Sequence, residues 1–307
     1  MVHVLCWIAT VFLVAYVLLA AYKWLNKPGS SKYNRETRAV EFHYDNPPST
    51  VNFYLRAVTA MNNLTKPGSL PKNATIPRFE VYCKNATGTS QAITSYAKEV
   101  GFNVKEEVPL PFPFATSLPL IAPIIEHHKY PIKAFASIVH IKQTIQQLRP
   151  IKMTESIVKK AIMEGGTNTD RGSELASTVE LYSNNELIAN GTSTFLIVKK
   201  RGAPAAQTPL GDQPTKTYPF KVAAKQGLRY AAVSGDYNPW HLYPFTAKFF
   251  GFKTAIAHGF WAVAKCLAEM QDHLPKYPLS FEVEWKRPVF MPSSVVLEEY
   301  VSENGNK

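Results

Sequence analysis

The sequence predicts an α+β protein of two similar units, each an apolar helix wrapped by an antiparallel sheet, behind an apolar N-terminal segment. Three observations predict it. Apolar positions recur at helical spacing over 259–270, and strand-like runs follow an apolar segment at 118–129. A Pro-, Gly- and Ala-rich stretch at 201–217 then separates the two halves. With 307 residues, 46% of them hydrophobic, the chain can bury a core in each half.

Residues 4–22 contain no charged side chain. At about 1.5 Å per residue, a helix of that length nearly crosses a hydrocarbon core of about 30 Å. A cleaved secretory signal has a basic start and an apolar run of roughly 7–15 residues, so residues 1–25 read instead as a retained membrane anchor. Lys23, Lys27, Lys32, Arg35 and Arg38 follow it, which places the body of a single-pass protein on the cytoplasmic face. Cys6, Cys83 and Cys266 form no disulfide framework, in keeping with a reducing compartment. Sequons at Asn63, Asn73, Asn85 and Asn190 run against that topology, and they matter only in a lumenal body. The net charge of +11 is spread along the chain without basic blocks, so nucleic acid is not expected as a partner. The phosphates of an acyl carrier or anionic lipid suit it as well.

Residues 26–50, with Pro28, Gly29, Pro47 and Pro48, read as a linker. The first unit then covers 51–200. A short strand or helix at 51–62 and a turn-rich stretch at 64–75 precede a strand at 78–82. Pro109, Pro111 and Pro113 break the chain before the apolar helix expected at 118–129, and four strands follow at 137–148, 152–163, 174–182 and 187–199. The first of these is rich in Gln, and its period is the least regular. After the linker at 201–217 the second unit, 218–307, repeats the plan. It has a short strand around Phe220, helices over 239–250 and 259–270, and strands at 279–285 and 295–301.

The helix over 259–270 presents Phe260, Val263, Ala264, Leu267 and Met270 on one face, while Ala262 and Ala268 keep it narrow. Only 271–307 remain to cover it. The second sheet must therefore be short and borrow from the first unit or a partner, or the sequence is truncated. Each large side chain left uncovered would forfeit roughly 1.5–3 kcal/mol.

The stretch 230–270 has the layout of a site. Asn238-Pro239 is a helix start, with a side-chain acceptor at the cap and proline at the first position. Asp236 then falls in the loop and His241 in the first helical turn, where the pair can converge on one molecule. An imidazole near a helix N-terminus is biased to its neutral form, and with a carboxylate beside it the pair can activate or remove water. Alternatively, Asp236 orders the turn and His241 is structural. At His258-Gly259 a second helix begins, and the Gly259 N–H can stabilise an enolate oxygen. Cys266 has no base to activate it and reads as an inert buried thiol.

The segment SGDYNPWHLYPFTAKFFGFKTAIAHGF, residues 234–260, closely resembles the hydratase-2 motif of the MaoC-like dehydratases, enoyl-thioester hydratases of the hotdog fold. The likeness covers about 218–291, and YPIKAFASIVHIKQTIQQLRPI at 130–151 is similar to the first repeat of double-hotdog members. The resemblance implies a double hotdog whose N-terminal repeat holds the acyl chain. It implies that Asp236 and His241 activate water, that Asn238 supports their geometry, and that Gly259 supplies the oxyanion N–H. The chemistry would be (R)-specific hydration of a trans-2-enoyl thioester of coenzyme A or acyl carrier protein, or the reverse dehydration, with no cofactor and no metal. The alternative is a non-catalytic acyl-thioester-binding or scaffold protein on the same fold, with a thioesterase ranked below it.

Trp240 stands where the family usually has a small aliphatic residue, and Tyr243 where it often has an acidic one. Together with His258 and Phe260 they are assigned to substrate binding. His127, His128 and His140 lack ligand spacing for a metal. Lys276, Lys286 and Arg287 are candidates for meeting phosphates. A homodimer is compatible with all of this, although a double hotdog already contains the paired arrangement.

Overall fold

The computed structural model describes residues 16–17, 30–51, 53–54, 66–133, 138–199 and 213–300. The larger sheet holds β1 (Ser30–Asn34), β2 (Ala39–Tyr44), β3 (Ile76–Cys83), β4 (Ile138–Gln147), β5 (Val158–Thr169), β6 (Gly172–Ser183), β7 (Glu186–Val198) and β9 (Leu279–Glu284). They run in the order β1-β2-β3-β5-β6-β7-β4-β9. Among the described pairs only β2 with β3 is parallel. The second sheet pairs β8 (Lys216–Val222) with β10 (Ser293–Glu299), antiparallel.

The four strand runs expected in the first half are β4 to β7. The Gln-rich β4 sits inside the sheet, between β7 and β9. Gln143 and Gln147 are fully buried there. Their side-chain amides donate to the carbonyls of Thr144 and Arg149, each at 2.8 Å, which is how a polar strand is accepted in the interior.

Three local expectations are corrected. The linker expected over 26–50 contains β1 and β2 instead. Val40, Phe42 and Tyr44 are buried on β2, and the prolines at 47 and 48 come only after the strand has ended. The apolar helix expected at 118–129 is two short pieces, a 3-10 turn (Leu118–Ile121) and α3 (Ala122–Glu126), preceded by another, α2 (Phe112–Ala115). Each piece has a proline in its first two positions, because Pro113, Pro119 and Pro123 can start a helical turn but cannot continue one. The single helix expected over 239–250 is likewise α5 (Pro239–Leu242) and α6 (Pro244–Phe249), parted at Tyr243, which is extended before Pro244.

Two further helices, α1 (Ser90–Val100) and α4 (Gln226–Ser234), relate the two units. Each ends at a glycine with positive φ, Gly101 at 98° and Gly235 at 79°, whose N–H returns to Ala97 and Ala231 respectively. Five residues before each glycine stands a fully buried tyrosine. The hydroxyls of Tyr96 and Tyr230 meet at 3.4 Å where the two helices pack together.

The helix α7 (Gly259–Glu269) buries Trp261, Val263, Ala264, Leu267 and Ala268. Its cover is partly borrowed, since β9 pairs with β4 at the edge of the first unit's sheet. From the other sheet, Phe220 of β8 meets the Trp261 ring edge-on at 6.2 Å. Val263 and Leu267 are therefore only 6% and 7% exposed, and of the apolar face expected to lie open under the short C-terminal sheet only Phe260 and Met270 are half-buried.

The N-terminal transmembrane helix, and the single-pass placement derived from it, are corrected. Among the described residues no helix is long and apolar enough to cross a membrane. Of residues 4–22 only Tyr16 and Val17 are described, both exposed, and the remainder lie outside the described residues.

Candidate active site

Between α4 and α5 the chain is wound by local bonds. The Ser234 hydroxyl donates to the Tyr230 carbonyl at 2.9 Å and accepts from the Asp236 N–H at 3.2 Å. Asp236 Oδ1 then accepts from the Asn238 N–H at 3.0 Å. Asn238 is the residue that precedes α5, as expected, but its side chain caps nothing; the first turn closes through its carbonyl, which accepts from the His241 N–H at 3.0 Å. α4 and α5 approach so closely that a methyl group at Gly227 would stand 1.7 Å from the His241 carbonyl oxygen. Glycine at 227 is thus a condition of where His241 sits.

His241 is 8% exposed, and both ring nitrogens are engaged. Nδ1 lies 2.8 Å from the Ile256 carbonyl, which can only accept, so Nδ1 carries the proton. Nε2 accepts from the indole N–H of Trp240 at 2.9 Å. Burial, and next the neighbouring His258, push the imidazole down to about 3, against the opposing pull of Asp236 and the Ile256 carbonyl. The ring is a neutral base with a fixed tautomer.

His258 stacks on His241 with ring centroids 3.8 Å apart. Its Nε2–H donates to the Asp236 carbonyl at 2.8 Å, leaving a buried Nδ1 without a hydrogen-bond partner among the described residues. Burial lowers its pKa too. Asp236, His241 and His258 offer side-chain ligand atoms within 4.8 Å of one another. A metal ion could use His241 or His258 Nε2 only by displacing the bonds just described. The Tyr54 phenol is held protonated above its ordinary range by burial and by the Asp236 charge.

Gly259 opens α7, so its N–H is among the first four, which have no acceptor within the helix. The space its missing side chain leaves is filled. A methyl group there would lie 2.8 Å from Cε2 and 3.0 Å from Nε1 of Trp285. That indole N–H is buried without a partner among the described residues. Trp285 was not singled out from the sequence, where it looks like the last residue of an ordinary strand and nothing marks its packing on Gly259. His140, treated as structural, faces the same space with its ring 4.3 Å from that of Trp285.

A cavity of about 390 Å³ joins these groups. Asp236, Asn238, Trp240, His241, His258 and Gly259 all border it, as do Phe260 and the polar Ser117, Arg171, Ser177 and Ser193. Phe114, Ile125, Met163 and Leu175 bring apolar lining from the first unit, and the exposed Lys286 and Arg287 also border it. Two assigned residues fall outside. Tyr243 is 43% exposed and stacks outward on Phe245, and the exposed Lys276 does not line the cavity.

The cavity is lined from both halves of the chain and brings a carboxylate, a neutral imidazole and a helix-end N–H to one place. Residues 205–307 match the family model described as MaoC like domain. That match covers the C-terminal third of the chain. The chain is similar to 3-hydroxyacyl-thioester dehydratase X of Mycobacterium tuberculosis, 28% identical over 238 residues that span 76% of this chain and 84% of the relative. The crystal structure of HtdX from the same organism superposes with a TM-score of 0.62 at 27% identity, over 73% of this chain and 88% of that one. The peroxisomal hydratase-dehydrogenase-epimerase of Neurospora crassa is 31% identical over 162 residues, 49% of this chain and 17% of that protein. The chain is an enzyme of the hydratase/dehydratase class, a lyase.

Proposed function

We propose that this protein is a MaoC-like dehydratase that adds water to the double bond of a trans-2-enoyl thioester, or removes it from the (R)-3-hydroxyacyl thioester, with Asp236 and His241 handling the water. The convergence of Asp236, His241 and Gly259 on one cavity carries the proposal. In the hydration direction His241 Nε2 takes a proton from water held beside the Asp236 carboxylate, the oxygen adds at the β-carbon, and the proton passes from Nε2 to the α-carbon as the enolate collapses. The Gly259 N–H holds the thioester oxygen as it gains enolate charge, aided by the positive end of α7. Asn238 braces Asp236 through its backbone N–H. Apolar lining from the first unit receives the acyl chain, and Lys286 and Arg287 meet the phosphates of coenzyme A or of an acyl carrier protein.

Purified protein should consume the enoyl-CoA absorbance and yield the (R)-3-hydroxy product. Asp236→Asn and His241→Ala should each lower kcat by about 10²–10⁴-fold with circular dichroism unchanged. Full activity in either variant removes that residue from the mechanism. One observation favours a second reading, a non-catalytic acyl-thioester-binding protein: His241 Nε2 is already occupied by the Trp240 indole. Acyl-CoA binding without turnover, in folded wild type across short and long chains, would decide for it.

A further inference from the structure

The bond between Trp240 and His241 joins sequence neighbours across the atom that the proposed reaction needs. An indole N–H can only donate, and the Ile256 carbonyl at Nδ1 can only accept. The two partners together select the neutral ring with its lone pair at Nε2, and the indole occupies that lone pair. Water cannot hand its proton to Nε2 while the indole N–H is there. Were Nε2 protonated, two donors would face each other and the contact would break.

We propose that Trp240 is a positioning residue that caps His241 in the free enzyme and is displaced from Nε2 when acyl thioester enters the cavity. This rests on His241 being the base. The indole is placed for such a movement. It lines the cavity, is only half-buried, and sits on a helix of four residues whose ends are set by Pro239 and Pro244. Beyond the single bond to His241 its ring meets Phe250 edge-on, with centroids 5.0 Å apart. A small aliphatic side chain at 240 would make neither contact, so the cap belongs to this sequence and not to the motif.

In the free enzyme the cap favours neutral His241, and in the complex that influence is gone. The other groups facing the ring stay in both states: His258 stacked on it, Asp236 beside it, and behind these Tyr230 against His258 and Tyr54 against Asp236. His140, Arg171, Lys286 and Arg287 border the cavity. Removing the indole N–H therefore changes the free enzyme selectively.

The test compares wild type with Trp240→Phe, which keeps an aromatic ring but has no N–H. The acid limb of kcat/KM, which reports the free enzyme, should move up by about half to one pH unit, while the acid limb of kcat stays in place. KM should fall by about fivefold, because substrate no longer has to break the bond. An unmoved kcat/KM limb with unchanged KM overturns the cap. Equal movement of both limbs overturns displacement, since the indole would then remain on Nε2 in the complex. Should the Phe variant fold poorly, Trp240→Leu repeats the comparison with the side-chain type more usual there.

A second measurement does not depend on turnover. In wild-type protein labelled with 15N at its indole nitrogens, a saturated acyl-CoA should move one hydrogen-bonded indole proton signal upfield, and that signal should be missing in the Trp240 variant. Its failure to move on saturation overturns the proposal. Wild type that shifts this signal but never turns over enoyl-CoA refutes the catalytic reading and leaves the cap standing.

Discussion

A buried imidazole stays uncharged because burial disfavours its protonated form, and the consequence can be measured as stability. Burial pushes His140 down to about 4 and His241 down to about 3, whereas in an unfolded chain both protonate near 6.5. Between those values the unfolded state binds more protons than the folded one. Stability from these rings is therefore complete above pH 6.5 and is lost as pH falls toward the folded values. By pH 5 the loss is of order 2 kcal/mol for each ring. Urea unfolding at pH 7 and pH 5 should show a clear fall in midpoint, reduced in His140→Phe, whose ring keeps the contacts with Phe195 and Trp285. A midpoint that stays level would mean that water reaches these rings. At this scale the meeting of Asp236, His241 and Gly259 around one cavity was legible because the motif compresses them into a few positions. The Trp240 bond and the Trp285 packing were not, since neither follows from residue type or spacing.

His241 owes its place to two elements brought into contact, α4 and α5, at Gly227. Gly227→Ala would set a methyl group where the His241 carbonyl oxygen now lies, 1.7 Å away, and neither backbone can yield without moving the other. The expected result is a shift of α5 that draws His241 from Asp236, with kcat reduced at least tenfold and melting lowered by several degrees. Serine should be no better than alanine, because the clash is with the Cβ itself; wild-type kcat in either variant would show that α5 can slide freely. α4 and its counterpart α1 were themselves missed, for a reason that is physical. Ile93, Tyr96, Ala97 and Val100 carry a clear three-to-four spacing in α1, but it is a single turn-to-turn stripe among Ser, Gln, Thr, Lys and Glu. α4 begins with Gln-Gly, which argues against a helix on propensity and is overruled by packing. The strands β4 to β7 were readable because Pro, Gly and Asn mark their ends, while β1 and β2 were hidden in a stretch whose prolines suggested a linker.

Over the whole molecule, both units line the cavity, and the proposed function assigns the acyl chain to the first and the water chemistry to the second. Asp236, His241, His258 and Gly259 border the cavity from the second unit, whereas Ala161, Met163, Leu175 and Val179 line it from β5 and β6 of the first, together with the polar His140, Arg171 and Ser177. A substitution in β5 can then alter which acyl chains fit without touching the water-handling groups. Ala161 is 1% exposed and has no long side chain to withdraw, so Ala161→Leu adds its extra carbons into space that a chain would occupy or into the sheet core. The two possibilities separate kinetically. If the first unit holds the acyl chain, kcat/KM for a long enoyl-CoA should fall by about tenfold or more relative to a four-carbon substrate, since each methylene excluded from an apolar pocket is worth roughly that much. The short substrate never reaches the substituted wall and should report only on the catalytic groups. A parallel fall for both lengths would instead mean that overpacking in β5 has been transmitted to Asp236 and His241, and the division of the cavity into an acyl-holding unit and a catalytic unit would have to be given up.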